Sequence, residues 1–320
     1  MTSAIDWAAG IKARKPFVWD KRGRVFEPSM PGFTHGSHPC AVHLEGDVFI
    51  VAFTCRDAQA RSHVFLCQAR LDDESMTLIG EPKLALAPGA PGTFDCDGVI
   101  SVCIVSHAGR HYLYYVGWQN LPDTLWICDT GRAILDLGAL TLTKEFLGPV
   151  LGRDKNNPLF AAATAFHVEG DRWRTWYNSG ISWTRLADGW HHHYGIHHAH
   201  STDGIDWTCD PGLCLPFKDE YEYAFGRPSV MRRDGLYLMW FAHRASREIA
   251  TYRIGFASSA DGLSWDRADE LAGIDVSTEG WDSEMICYPY VFEHRGRCYM
   301  LYNGNGYGKT GFGLAVLDQA

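Results

Sequence analysis

Aromatic and aliphatic residues alternate with smaller or polar ones in short runs along this chain, and five of the runs open on a glycine in a polar turn. They are Gly46-Asp-Val-Phe-Ile-Val-Ala-Phe, Gly109-Arg-His-Tyr-Leu-Tyr-Tyr-Val, Gly170-Asp-Arg-Trp-Arg-Thr-Trp-Tyr, Gly235-Leu-Tyr-Leu-Met-Trp-Phe-Ala and Gly296-Arg-Cys-Tyr-Met-Leu-Tyr-Asn. Successive glycines lie 63, 61, 65 and 61 residues apart. A β-rich run also precedes the turn, as in Pro228-Ser-Val-Met-Arg-Arg-Asp and Pro289-Tyr-Val-Phe-Glu-His-Arg. Run, glycine turn, run is the pattern of a β-hairpin. A third run follows, seen in Tyr194-Gly-Ile-His-His-Ala-His and Tyr252-Arg-Ile-Gly-Phe-Ala-Ser. It ends in a turn of shared form, Ser201-Thr-Asp-Gly-Ile-Asp-Trp207 and Ser259-Ala-Asp-Gly-Leu-Ser-Trp265. The Trp begins a fourth strand and is placed to pack between units.

Four antiparallel strands repeated at a fixed period make a propeller blade. The pattern predicts an all-β, single-domain, five-bladed β-propeller over residues 1–320. The last unit stops after Phe312-Gly-Leu-Ala-Val-Leu317, one strand short. Within the N-terminal segment 1–30, the aromatic-rich stretch from Lys15 to Pro28 is expected to supply that strand and close the ring. An unpaired outer edge would otherwise stay open to other chains. Helical periodicity is absent, so little helix is expected.

A formal net charge of −9 with acids and bases interspersed argues against nucleic acid and anionic membrane surfaces as partners. No apolar stretch reaches transmembrane length, and Met1-Thr-Ser-Ala-Ile-Asp-Trp lacks the basic and apolar regions of a signal peptide. The ten cysteines form no Cys-x-x-Cys pair, and no Asn-x-Ser/Thr sequon occurs. Together these predict a cytoplasmic protein with reduced, mostly buried thiols.

In a propeller the first strand of each blade lines a shared centre, so polar residues where those strands begin are candidates for chemistry. The five stretches are Thr34-His-Gly-Ser-His38-Pro, Phe94-Asp-Cys-Asp97-Gly, Asp154-Lys-Asn-Asn157-Pro, Glu222-Tyr-Ala-Phe-Gly-Arg227-Pro and Trp281-Asp-Ser-Glu284-Met-Ile-Cys-Tyr288-Pro. Four end in X-Pro, which disfavours αR for the preceding residue. With the Ser-x-Asp-Gly-x-x-Trp turns, Phe94-Asp-Cys-Asp-Gly-Val and Tyr302-Asn-Gly-Asn-Gly306, the whole chain resembles the five-bladed propeller glycoside hydrolases: family 43 and the invertase-like families. The resemblance implies acidic residues on the inner strands of different blades. Asp97 matches the second-blade Asp of that group, and Glu284, in the last blade, is the matching catalytic Glu. His38 stands where the group has its first-blade Asp.

Glycoside cleavage needs a proton donor to the leaving oxygen and a base or nucleophile on the opposite face. Glu284, flanked by Trp281 and Tyr288, is expected to be the acid; Asp97 is expected to be base, nucleophile or a tuning group, with Asp95 its capping neighbour. Arg227 reads either as an ion-pair partner of Glu222 or Asp97, or as a clamp on a sugar carboxylate or phosphate. His35 and His38 read as loop residues or as contacts to hydroxyls or phosphate. Tyr288, Glu222, His198, His243 and Trp118 complete the candidate substrate-binding set. The run His191-His-His-Tyr-Gly-Ile-His-His-Ala-His200 has no ligand partner at metal-site spacing, so no metal or other cofactor is expected. Residues Ser182–Tyr194 are expected to lengthen a rim loop. Trp118, Trp183 and Trp190 either pack in the core or stack on sugar rings.

These features lead to a carbohydrate-active enzyme working on a small saccharide, most simply a glycoside hydrolase. Two alternatives stand beside it. One is glycosyl transfer to phosphate or sugar, suggested by the missing first-blade Asp. The other is a propeller that binds glycans or proteins without catalysis.

Overall fold

The computed structural model describes residues 7–122, 125–186, 189–244 and 251–318. It is nearly all β, with one short helix, α1 (Trp7–Lys12), before the first strand. The strands fall into antiparallel sets that follow the sequence repeat. The first set is β2 (Thr34–Glu45), β3 (Val48–Arg56), β4 (Ser62–Leu71) and β5 (Met76–Leu86). Next come β6 (Gly98–His107), β7 (Arg110–Asn120), β8 (Trp126–Asp136) and β9 (Thr141–Lys144). The third set is β10 (Ala161–Glu169), β11 (Arg172–Leu186), β12 (Gly189–Ser201) and β13 (Thr208–Cys209). The fourth is β14 (Ala224–Arg233), β15 (Leu236–Arg244), β16 (Tyr252–Ser259) and β17 (Asp266–Arg267). The last is β18 (Cys287–His294), β19 (Arg297–Asn303) and β20 (Phe312–Leu317).

The N-terminal strand β1 (Trp19–Phe26) pairs antiparallel with β20, in register Trp19 with Leu317. The stretch singled out by its aromatic content therefore occupies the outer position of the last set. Its aromatics hold it there. Trp7, Phe17 and Trp19 pack on Trp240, with ring centroids 6.3, 5.6 and 5.5 Å away.

The five repeat glycines all have positive φ and sit in the turns joining the first and second strands of each set. In three of these turns the preceding residue, Ala108, Asp234 or Arg295, is also left-handed. That is the geometry of a tight hairpin turn whose twist matches the strands.

Apolar side chains on the two faces of each sheet pack against the neighbouring sets. One cluster joins Phe49, Val51, Phe53 and Phe65 of the first set to Tyr299, Leu301, Phe312 and Leu314 of the last. At the centre the first strands pack side by side: β2 on β6, β6 on β10, β10 on β14, β14 on β18, and β18 on β2.

The Ser-x-Asp-Gly turns fasten neighbouring sets together. Ser201 Oγ and Asp203 Oδ1 accept backbone N–H bonds within the first turn, and its Gly204 carbonyl accepts from Tyr114 Oη and Arg132 Nη1 at 2.7 and 3.2 Å. The second turn repeats the arrangement on the third set. Asp261 O accepts from Arg174 Nη2 and Gly262 O from Trp176 Nε1, at 2.7 and 2.8 Å.

Candidate functional site

Every first strand is interrupted at the same place. The pairing register slips between Ser37 and Cys40, Ser101 and Cys103, Ala163 and Ala165, Gly226 and Ser229, and Cys287 and Tyr290. These β-bulges re-aim one residue per strand. In three strands the bulge residue precedes proline and is left-handed: His38 at φ 50°, Arg227 at φ 36° and Tyr288 at φ 56°. Such backbone is costly for residues with a Cβ. The equivalent residues in β6 and β10 are Val102 and Thr164. The X-Pro rule aligned Asn157-Pro158 with these positions, and its place in the repeat aligned Asp97, but both lie before their strands. Asp154 Oδ1 instead accepts from Asn157 N and Nδ2 in a turn, at 2.7 and 3.1 Å.

Arg227 is buried and crosses the centre. Its guanidinium donates to the carbonyls of Tyr288 at 3.0 Å, Pro39 at 2.6 Å and Val102 at 3.0 Å. It thereby ties three first strands to its own. Neither expected role, ion pair with Glu222 or Asp97 or anion clamp, is what its donors do. Polar side chains near the ends of the second strands reinforce these junctions. Asn178 Oδ1 accepts from Arg227 N at 3.2 Å, and Asn303 Oδ1 accepts from His38 N at 3.1 Å.

Above Arg227, where the first strands begin, lies a mouth of aromatic and cationic groups. His38 stacks on Tyr288, ring centroids 4.1 Å apart. Tyr288 lies 5.7 Å from Tyr252, and Tyr252 lies 6.0 Å from Tyr307. The Tyr252 hydroxyl hydrogen-bonds that of Tyr194. Arg244 lies over Tyr223, Tyr252 and Tyr307 at 5.5, 5.6 and 5.9 Å. His35 is held neutral, its pKa lowered to about 4 by burial, Arg56 and Lys309. Burial, Arg227 and Arg56 push His38 well below the usual imidazole range.

Of the sequence candidates, His35, His38 and Tyr288 come together here; Arg56, Tyr194, Tyr252, Tyr307 and Lys309 join them without having been singled out in the sequence. A usable signal existed: Arg56 and Arg244 both end the second strand of their set.

The remaining candidates scatter. Asp97 is half-buried ahead of β6, and its Oδ2 accepts from Asn120 N at 2.7 Å. Asp95 is buried on Lys144, 2.6 Å away. Glu284 is exposed ahead of β18, with its backbone N–H on Asn305 Oδ1. Trp281 does not shield it; that ring stacks on Tyr302. Glu222 and His243 are buried in an ion network, not presented to the mouth. Arg267 grips both Glu222 oxygens at 2.7 and 2.8 Å, and His243 Nδ1 lies 3.3 Å from Oε1. Burial alone would raise the Glu222 pKa; Arg267 and His243 overcome it and bring it to about 2. Trp118 Nε1 donates to Ser62 Oγ at 3.3 Å, where the first two sets meet.

His198 is engaged at both ring nitrogens: Nδ1 lies 2.6 Å from Asp210 Oδ2 and Nε2 accepts from Arg174 Nε at 3.1 Å. With His200 and Asp210 it forms a group of ligand atoms within 4.8 Å of one another, but the Arg174 guanidinium stands where a cation would be repelled. The described residues of the Ser182–Tyr194 stretch are strand rather than loop. They form a ladder extending β11 and β12, pairing Trp183 with His192 and Arg185 with Trp190. Trp190 lies beside Arg185, 5.6 Å from ring centroid to guanidinium.

No family model matches the chain. An uncharacterised Mycobacterium tuberculosis (strain H37Rv) protein, Rv1502, is 37% identical over 306 residues, covering 94% of this chain and 99% of the relative. The chain belongs to the Rv1502 family. Solved structures described as glycoside hydrolases share the fold of this member of the Rv1502 family. A structure described as a glycoside hydrolase matches with TM-score 0.73 and 16% identity over 98% of this chain and 95% of its own. Another comes from the GH130 family of mannoside phosphorylases, described as containing glycoside hydrolases that target β-1,2-mannosidic linkages in Candida mannan. It matches with TM-score 0.69 and 12% identity over 98% of this chain and 96% of its own. A thermostable family-43 glycoside hydrolase matches at 0.58 and 15%, over 92% of this chain and 91% of its own. At such identities the likeness is one of fold.

Proposed function

We propose that this chain is a carbohydrate-active enzyme that cleaves or transfers a glycosidic bond at the mouth where its first strands begin. Its architecture in this reading is a five-bladed propeller, closed by β1 on β20. The carrying observation is the convergence at that mouth of bulged first strands, buried tyrosines and cations that meet no acid among the described residues, in a fold that matches glycoside hydrolases over nearly the whole chain. Bulges that hold strained, re-aimed side chains are found beside active sites. Aromatic walls suit the apolar faces of sugar rings.

Asp97 and Glu284, ahead of β6 and β18, are the carboxylates of this reading. The N–H of Asn120 on Asp97 Oδ2 fixes the orientation of that carboxyl group, which fits a base or nucleophile. Glu284, reached from solvent, fits the proton donor to the leaving oxygen. In the hydrolytic version, Asp97 activates water or attacks the anomeric carbon while Glu284 protonates the departing oxygen.

The test is mass-spectrometric detection of products from a panel of aryl glycosides and oligosaccharides, comparing wild type with Asp97→Asn and Glu284→Gln. Turnover lost in both folded variants supports the assignment. Turnover that survives both overturns these two residues. Saccharide binding with no turnover of any substrate overturns the enzyme reading in favour of a binding propeller.

A further inference from the structure

Three cationic side chains at the mouth have no carboxylate partner among the described residues: Arg56, Arg244 and Lys309. Other buried arginines do meet acids, as Arg132 does with Glu145 at 2.6 Å and Arg267 with Glu222 at 2.7 Å, while Arg227 spends its donors on carbonyls. Arg56 ends β3, where it pairs with Thr34, whose Oγ1 donates to the Arg56 carbonyl, so it stands next to His35 in the neighbouring strand. Arg244 ends β15, and its Nε is buried without a hydrogen-bond partner. Lys309 is carried by the loop after β19, which lies on the first set. A Cβ at Gly308 would lie 2.5 Å from Gly36 O, which fixes how tightly that loop is seated. The three cations thus come from different sets, with Arg244 lying over Tyr252 and Tyr307.

Like charges gathered against aromatic walls repel one another and lose hydration, an arrangement that stands when an anion completes it. Arginine presents a planar fork of donors matched to the oxygens of a phosphoryl group or carboxylate. The tyrosine hydroxyls add neutral donors. Neutral His35 and His38 add donors without further charge.

We propose that Arg56, Arg244 and Lys309 form an oxyanion site for a phosphoryl or carboxylate group belonging to the reaction of the mouth. This rests on the enzyme reading above and names the chemistry of its substrate: the oxyanion is either free phosphate acting beside the saccharide, or a phosphate or carboxylate carried on the sugar itself.

The experiment is calorimetric titration of the intact protein, at matched ionic strength, with inorganic phosphate, glucose 6-phosphate, glucuronate and glucose. It is run on wild type, Arg56→Ala, Arg244→Ala and Lys309→Ala, each first checked for native circular dichroism and cooperative unfolding. The expected result is saturable binding of at least one anion by wild type, weakened about 10-fold or more in each arginine variant, the loss that follows from removing one charge-assisted contact. Binding of phosphate alone identifies a separate co-substrate; binding of only the anionic sugars places the oxyanion on the saccharide. Either outcome supports the site. Absence of anion binding by wild type, or binding unchanged in both arginine variants, overturns it. Should an arginine variant fail to fold, Lys309→Ala on its flexible stem carries the same test. Glycoside turnover measured alongside separates the two readings. Anion binding without turnover leaves this site standing and removes the enzyme, whereas turnover of neutral glycosides without anion binding does the reverse.

Discussion

Arg227 donates from Nη2 to the carbonyl of Pro39, 2.6 Å away and 188 residues earlier in the chain. The same guanidinium reaches Val102 and Tyr288, so one buried charge satisfies carbonyls on three other first strands. Burial lowers the Arg227 pKa, yet no acid balances the charge; the carbonyl dipoles do so. Arg227→Met would leave those carbonyls without their donor. The expected loss is about 2–4 kcal/mol of unfolding free energy, since each buried unsatisfied group costs ~1–3 kcal/mol and removal of a desolvated charge offsets part of that. Urea unfolding followed by tryptophan fluorescence measures it. A loss near zero would show that the centre does not depend on this residue.

Glu222 and Arg267 form the other buried ionic knot, and it lies in the frame rather than the mouth. Glu222→Gln leaves the Arg267 guanidinium with Asp269 alone, and the expected destabilisation at pH 7 is about 3 kcal/mol. The Glu222 pKa is depressed to about 2 from an ordinary 4.5, so its contribution is fully present above the unfolded value and lost as pH falls through that interval. The stability gap between wild type and variant should therefore narrow below pH 4.5. In folded Glu222→Gln protein, saccharide turnover should match wild type; a collapse of turnover with the fold intact would return Glu222 to the substrate-binding set.

His35 offers a pH-dependent reading of the mouth. Its pKa of about 4, below the ordinary 6.5, means the folded protein favours neutral imidazole. Stability from this group is fully present above the unfolded pKa and is lost as pH falls from there towards the folded one. His35→Gln should flatten the stability profile across that window. In an imidazole NMR titration, Arg56→Ala should move the His35 midpoint upward, because one of the two cations depressing it is gone. An unmoved midpoint would mean that burial acts alone.

The turn clasp gives a test of set-to-set packing. Gly262 has φ 73°, and a Cβ there would lie 2.9 Å from Arg174 Nη1 and 3.0 Å from the Trp176 ring. Gly262→Ala should cost about 1–2 kcal/mol through the left-handed backbone and the displaced arginine. Trp176→Phe removes the 2.8 Å indole bond to Gly262 O and a part of a buried ring, and should cost about as much or more. Thermal unfolding checks both, with the double variant expected to fall short of the sum because the residues share one contact.

Much of the frame was legible because its signals are local. Period-two alternation, a glycine at each hairpin turn and the Asp-Gly turns are each encoded within about ten residues, and steric rules on φ act on the residues that carry them. The aromatic stretch after Lys15 announced that it would be buried, and it pairs with β20. The X-Pro signal found the bulges at His38, Arg227 and Tyr288 but went astray at Asn157-Pro158, because a pre-proline restriction fixes a backbone shape and not a position in a sheet. What each polar side chain does was decided only when distant strands came together. Glu222 turned from the mouth to Arg267, 45 residues away, because a buried carboxylate must find its counter-charge. Arg227 found carbonyls rather than acids, and although Arg56 and Arg244 share the position that ends a second strand, it took the packing of three sets to bring them and Lys309 to one mouth. The alternation of the chain determined the sheets; which charges face one another depended on the packing between sheets, where separation in sequence no longer measures distance.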